Sequence, residues 1–394
     1  MPNLTFDNTE IAFQWKSDKE LRRSYWLLKM ISMPALVWAG KQLSNFAIAI
    51  HFPINWIVKP TIYSHFVGGE TIEECLPLVR LLEKYNVKAI LDYSVEGGGT
   101  EEKINKALDE TLKTIYNAAK DPNIPFAVFK PSAFGDLDVL TRASQGETLS
   151  DKDKEEVDKF RERVYTLTKT AYDNNVPIMI DAEEVAYQKI VDDVIYEMML
   201  KFNKEKAIVY NTLQMYRIDR LDYLKQLYEM AKRDGIKVGV KFVRGAYMEK
   251  ERERAEKYGY PDPIHKTKED TDKAYNDALR FSAERIDTIS IFNATHNEES
   301  VRVLAGLMEE HGIAKDDPRC FFSQLYGMSD HITFNLGKEG YNVAKYIPYG
   351  PVRHVLPYLI RRTEENTSVA GQTPRELKLF ETEFRRRKEQ KQSK

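Results

Sequence analysis

Residues 207–243 read AIVYNTLQMYRIDRLDYLKQLYEMAKRDGIKVGVKFV, and this one stretch carries a strand, a helix and a strand in order. AIVYN (207–211) is an apolar, β-branched run. Residues 219–234 repeat their apolar positions at helical spacing, and IKVGVKFV (236–243) is apolar again. Strands this continuously apolar are buried on both faces, and a helical crossover between two of them makes the pair parallel.

The same alternation runs outward in both directions. VKAILDY (87–93), PFAVFK (125–130) and PIMID (177–181) precede it; DTISIFN (287–293), RCFFS (319–323) and NVAKYIP (342–348) follow it. Helical pattern fills most of the gaps, at 71–85, 154–174, 219–234, 268–285 and 298–311. Eight such runs predict an α/β chain folded as a closed (β/α)8, TIM-like barrel, with residues 61–372 as the barrel domain. Residues 1–60 hold all four tryptophans, Trp15, Trp26, Trp38 and Trp56, and read as an N-terminal helical arm. Residues 373–394 are highly charged and read as a helix that frays into a tail.

Composition narrows the class. The 394 residues are 42% hydrophobic and 30% charged, with 59 basic against 61 acidic residues and a net charge of -2. That balance speaks against a polyanionic partner, so no nucleic acid is expected. Cys75 and Cys320 both lie in apolar context and read as buried thiols of a reducing compartment. No apolar stretch reaches spanning length, and MPNLTFDNTE has neither signal-peptide nor transit-peptide character. The expected location is cytoplasmic, with a peripheral contact on the inner membrane as the sharper reading of the Trp-rich, Lys/Arg-rich arm. The histidines and cysteines show no ligand spacing, so no metal is expected.

A barrel places its chemistry at the C-terminal ends of its strands. Those ends are Asp92, Lys130, Asp181, Gln214, Arg244, His296, Gln324 and Tyr346. Lys130 and Asp181 close neighbouring strands, and the charges predict an ion pair between them. After the eighth strand, YLIRRTEEN (358–366) sets Arg361, Arg362 and Glu365 on one helix face. Two adjacent guanidiniums invite a bridging anion, for which a carboxylate suits the planar fork; a solvated surface pair is the equally open alternative. KFVRGAY (241–247) offers a lysine, an arginine and the close backbone approach that Gly245 permits, which suits an electron-rich ring.

Taken in order, FVGGETIEE, ILDYSVE, FK, IDAEE, LQMY, KFVRGAYMEKERERAE, ATHN, QLYGM, YIPYGP and YLIRRTEENTS resemble the proline dehydrogenase family, FAD enzymes on a (β/α)8 barrel. The likeness runs from about Phe66 to Ser368 and is greatest for the stand-alone, mitochondrial-like branch. It implies FAD-dependent oxidation of L-proline to Δ1-pyrroline-5-carboxylate, the first step of proline catabolism to glutamate. It further implies electrons passed to membrane quinone and a separate pyrroline-5-carboxylate dehydrogenase downstream.

Carried over residue by residue, the resemblance implies that Arg361, Arg362 and Lys130 bind the proline carboxylate. Tyr346, Tyr358, Leu325 and Ala246 wall the ring, and Glu96 gates it by pairing with Arg361, with Asp92 in support. Asp181, Lys241 and Lys130 are the implied catalytic set. Gln214, Lys241, Val243, Arg244, Gly245, Tyr247, Thr295, His296, Asn297, Arg362 and Glu365 are the implied FAD contacts. The chain departs from the family in having Lys241 where many members have Arg, and Arg244 where they have Lys. Two other readings stand beside this one. The first is a hydroxyproline dehydrogenase or another barrel flavin amine dehydrogenase; the second is a carboxylate-binding barrel without catalysis.

Overall fold

The computed structural model describes residues 4–49, 55–94, 99–368 and 372–393. Eight strands are β1 (Lys88–Tyr93), β2 (Ala127–Phe129), β3 (Ile178–Ile180), β4 (Val209–Gln214), β5 (Val238–Val243), β6 (Ile289–Ala294), β7 (Cys320–Leu325) and β8 (Val343–Tyr349). They form one sheet in the order β1-β8-β7-β6-β5-β4-β3-β2. The pairs from β2–β3 through β6–β7 are parallel, with Phe129 opposite Ile180, Thr212 opposite Lys241 and Phe242 opposite Asn293. Helices alternate with the strands, which makes the fold a (β/α)8, TIM-like barrel.

Two strands run two or more residues further than their apolar runs predict. β4 was expected over 207–211 and continues to Gln214; β7 was expected over 319–323 and continues to Leu325. The polar residues Asn211, Thr212 and Gln324 near these ends are buried, and the protein supplies partners for them. Asn211 Nδ2 donates to Asp192 Oδ1 at 2.9 Å, and Arg220 pairs with the same carboxylate at 2.7 Å. Gln324 Oε1 accepts from Thr333 at 2.8 Å. Hydrophobicity alone ends a strand where a satisfied polar residue begins.

The chain divides into two compact units. Ile90–Ser323 has a core that includes an aromatic layer: Phe126 meets Phe292 and Phe321 edge-on, each at 5.0 Å between centroids, and Tyr210 at 5.4 Å. Such layers of large side chains fill a barrel interior rather than leave a pore.

The second unit joins Asn3–Ala89 to Gln324–Lys394. Its apolar cluster takes Phe13, Leu21 and Leu28 from the arm, Val355 and Leu359 from the helix Val352–Ser368, and Phe380 from the helix Gln372–Gln392. Phe13 and Phe380 lie 4.5 Å apart between centroids. Arg387 then fastens this last helix to the arm, donating to the carbonyls of Phe13 and Lys16 and to Asp18 at 2.8–3.0 Å. The C-terminal segment, expected to fray, is therefore a continuous helix through Gln392: its buried Leu379, Phe380 and Glu383 give it tertiary anchors that its high charge hides. Pro357 lies within the helix Val352–Ser368, which runs through it without a break. Cys75 and Cys320 are both buried free thiols.

Candidate active site

In the Ile90–Ser323 unit the strand ends gather charge that is paired. Lys130, just past β2, donates to both oxygens of Asp92 at 2.8 and 2.6 Å, and Asp92 is 1% exposed. Burial alone would lower the Lys130 pKa. Asp92, then Asp181 and Glu183, outweigh it and hold the lysine above its ordinary value, so it stays charged.

The expected Lys130–Asp181 pair is not what forms. Asp181 instead accepts from Lys241 Nζ at 2.6 Å and from Thr212 Oγ1 at 3.4 Å. The register explains it: Thr212 of β4 faces Lys241 of β5, so the lysine reaches across β4 to the residue that follows β3. Lys130 turns the other way, to β1. Neighbouring strand ends thus hold two ion pairs rather than one, and Lys241 is a buried partner of Asp181, 4% exposed.

Glu183 carries a role that pattern reading missed. It is buried, and its carboxylate accepts from Ser132 N–H at 2.9 Å and Ser132 Oγ at 2.8 Å. It thereby clamps the single 3-10 turn Pro131–Ala133 that follows Lys130. Burial pushes the Glu183 pKa from 4.5 up to about 7, against the pull of the Ser132 hydrogen bonds and Lys130 and with a further push from Asp181. The folded state therefore holds this proton more tightly than the unfolded chain. Its contribution to stability is present below pH 4.5 and is lost as pH rises through about 7. Thermal melts of Glu183→Gln against wild type should show a Tm difference that changes across this window and is flat above it. A difference that stays constant throughout would assign the slope to another group.

The segment after β5 is held by its arginine. Arg244 donates to Asp272 at 2.7 Å, Thr295 Oγ1 at 2.6 Å and Ser300 Oγ at 3.0 Å, and its guanidinium lies 4.5 Å from the Tyr275 ring centroid. The planar guanidinium spreads its donors over these three partners and so locks the base of the following loop. Val243 ends β5 just before it, and Gly245, Ala246 and Tyr247 continue from it toward the helix Met248–Tyr258. Gly245 has φ 133°, and a Cβ there would lie 2.5 Å from the ring of Tyr216. After β6, Thr295 accepts from Asn297 N–H at 3.1 Å, and Asn297 accepts from Ser300 N–H at 3.0 Å. Asn297 is thus the N-cap of the helix Glu298–Glu310, with His296 in the turn before it.

One buried side-chain atom at the end of β4, Gln214 Oε1, has no hydrogen-bond partner among the described residues. Leaving it unsatisfied costs about 1–3 kcal/mol, so a polar ligand is what it fits. Nine of the eleven expected FAD contacts, Gln214 through Asn297, belong to this unit. The orphaned Gln214 oxygen, exposed backbone at Gly245 and an anchored cation beside it fit a flavin cofactor in chemistry.

In the second unit, the helix Val352–Ser368 buries Val352, Val355, Leu356 and Leu359 in the apolar cluster. Its next stripe holds Tyr358, Arg361 and Arg362. Tyr358 and Arg362, four residues apart, place the guanidinium 5.5 Å from the ring centroid, and Arg362 is 9% exposed. The surface-pair alternative fails for Arg362, since a solvated surface arginine is not buried. Tyr346 of β8 is buried, and Leu325 at the end of β7 is half-buried. Glu96 and the Glu365 side chain lie outside the described residues.

A family model described as proline dehydrogenase matches residues 75–375. The carbapenem antibiotics biosynthesis protein CarD of Pectobacterium carotovorum subsp. carotovorum is 38% identical over 83% of this chain and 84% of its own length. The mitochondrial proline dehydrogenase 1 of Dictyostelium discoideum is 32% identical over 96% of this chain and 74% of its own. Among solved structures, proline utilization A from Bdellovibrio bacteriovorus, inactivated by N-propargylglycine, superposes with a TM-score of 0.71 at 21% identity. The match takes in 91% of this chain and 38% of that one, so the chain spans little more than a third of that protein.

Proposed function

We propose, from the premise that this chain belongs to the proline dehydrogenase family, that it oxidises L-proline to Δ1-pyrroline-5-carboxylate with FAD and passes the electrons to a membrane quinone. Proline dehydrogenase is how both the family and the Dictyostelium relative are described. The observation that carries the finer reading is the orphaned buried atom Gln214 Oε1, on the β4 residue opposite Val243, just before the Arg244–Gly245 turn.

When bound, FAD would supply the two-electron acceptor. The chain's own residues do the rest. Arg361, Arg362 and Lys130 are the cations for the substrate carboxylate, and Arg362 brings the planar fork that fits one. Asp92 keeps Lys130 charged and aimed. Tyr346, Tyr358, Leu325 and Ala246 are apolar surface for the ring, and Glu96 gates it. Asp181 fixes the Lys241 side chain through an ion pair at 2.6 Å, and a cation there favours negative charge developing nearby. Val243, Tyr247, Thr295, His296, Asn297 and Glu365 complete the cofactor set.

The acceptor reading extends to the surface. Trp26, Trp38 and Trp56 are 58%, 64% and 66% exposed, and Lys29 lies 5.1 Å from the Trp26 ring centroid. Among the described residues no helix is long and apolar enough to cross a membrane. A cytoplasmic enzyme lying against the inner membrane, releasing its product to a separate pyrroline-5-carboxylate dehydrogenase, completes the proposal.

The test is direct. Purified protein with added FAD should absorb as a flavoprotein, bleach with L-proline under anaerobic conditions, and turn over with a soluble quinone. It should pellet with anionic vesicles. Protein that retains no flavin would favour a barrel without catalysis, and faster bleaching by 4-hydroxyproline than by proline would move the substrate. Buried Tyr346 crowds a ring hydroxyl if it walls the ring as proposed, which favours proline.

A further inference from the structure

Inside the unit of Asn3–Ala89 and Gln324–Lys394, two lysines share one aspartate. Lys16 Nζ lies 3.0 Å from Asp330 Oδ2, and Lys345 Nζ lies 2.9 Å from Asp330 Oδ1. The three side chains are 7%, 0% and 7% exposed in the order Lys16, Lys345, Asp330. Burying charges at this depth costs about as much as their pairing returns, so stability is a poor explanation for them. Geometry is a better one.

The network lies against the loop that follows β7. Lys345 donates to the carbonyls of Leu325 and Met328. Ser329, at φ 51°, donates its N–H and Oγ to Glu376 at 2.8 and 3.1 Å. Glu376 is buried, so two lysines are balanced by two carboxylates. Gly327 has φ 82°, and a Cβ there would lie 2.3 Å from the carbonyl oxygen of His65, so the loop packs closely against His65 at this point. The arm adds Trp15, stacked on Phe334 at 5.4 Å and 6.4 Å from Tyr326. Segments remote in sequence thus grip residues 325–329 from several sides.

That loop starts at Leu325, and Tyr326 N–H donates to Tyr346 O at 2.9 Å. Alternation along β8 sends Lys345 and Tyr346 to opposite faces. The residue that enters the charge network is therefore the chain neighbour of one ring-wall residue, while the loop it holds begins at the other.

We propose that Lys16, Asp330, Lys345 and Glu376 are positioning residues that set the size of the ring the enzyme accepts, and that the N-terminal arm acts on specificity through Lys16. The proposal rests on the reading of Leu325 and Tyr346 as the ring wall.

The experiment uses the full chain with FAD bound. kcat and KM are measured for L-proline and for its six-membered ring homologue, L-pipecolate, in wild type, Lys16→Met and Lys16→Arg. A wall loosened by a fraction of an ångström should cost Lys16→Met about fivefold or more in its preference for proline. The loss should appear mainly in KM, with kcat on proline within about twofold of wild type. Lys16→Arg should restore the preference. A preference unchanged in Lys16→Met, whatever happens to its Tm, overturns the proposal and leaves the network a structural one. If Lys16→Met does not fold, Glu376→Gln carries the same expectation and the same overturning result. Failure of the underlying reading looks different: wild type itself would oxidise neither amino acid, or both equally well.

Discussion

Arg362→Met raises the KM for L-proline by about tenfold to a hundredfold, because a charge-assisted hydrogen bond to a carboxylate contributes about 1.5–3 kcal/mol and each 1.4 kcal/mol is a factor of ten. Arg362 is nearly buried, and its guanidinium lies 5.5 Å from the Tyr358 ring centroid, so its fork is oriented before substrate arrives. Methionine keeps much of the side-chain volume and removes the charge, which limits damage to the helix Val352–Ser368. The loss belongs in KM if the contact is made equally in ground and transition states. Arg362→Lys should recover part of it, since an ammonium keeps the charge and lacks the fork. Steady-state kinetics check this; a KM within about twofold of wild type would remove Arg362 from substrate binding.

Gly245→Ala should abolish flavin retention. At φ 133° an L-residue is in a region that essentially only glycine occupies, and the new Cβ would lie 2.5 Å from ring atoms of Tyr216. Tyr216 is 4% exposed and has nowhere to go. The turn between the Arg244 anchor and the helix Met248–Tyr258 must then be rebuilt, at a cost of at least ~1–3 kcal/mol for the backbone alone. The absorbance ratio of flavin to protein after purification reads the result. The expected value is below about a tenth of wild type, which corresponds to roughly 1.4 kcal/mol or more of lost cofactor affinity. Retention of a full complement of flavin would separate this turn from the cofactor.

The two experiments address the two units separately, and they differ in how visible their residues were beforehand. The RR pair and the RGAY turn are read from the sequence because each is local: a helix spacing of one, three and four residues, and a glycine after an apolar run. The N-cap role of Asn297 is local as well, three residues before the serine N–H it accepts from. Pattern could have found it.

Partner choice is another matter. Lys130 was expected on Asp181 and is found on Asp92, 38 residues away; Lys241 takes Asp181, 60 residues away. No periodicity spans such distances. The deciding fact is the register of β4 against β5, which puts Thr212 beside Lys241 and opens the path to Asp181. Lys345 had a weak signal of its own. A lysine in an apolar parallel strand, next to a tyrosine expected to face inward, must point to the outer layer and find an acid there. That the acid is Asp330, shared with Lys16 of the arm, depends on contacts 15 and 314 residues apart in the chain.

By itself, the sequence determined the alternation of strand and helix, and with it the (β/α)8 barrel, since burial on both faces writes a continuous apolar run for each strand. It also determined which ionisable residues end those strands. Only the tertiary structure decided which charge meets which, where β4 and β7 end, and how the C-terminal helix is anchored. Each of these depends on partners brought from distant segments, and a buried polar group is tolerated only where such a partner arrives.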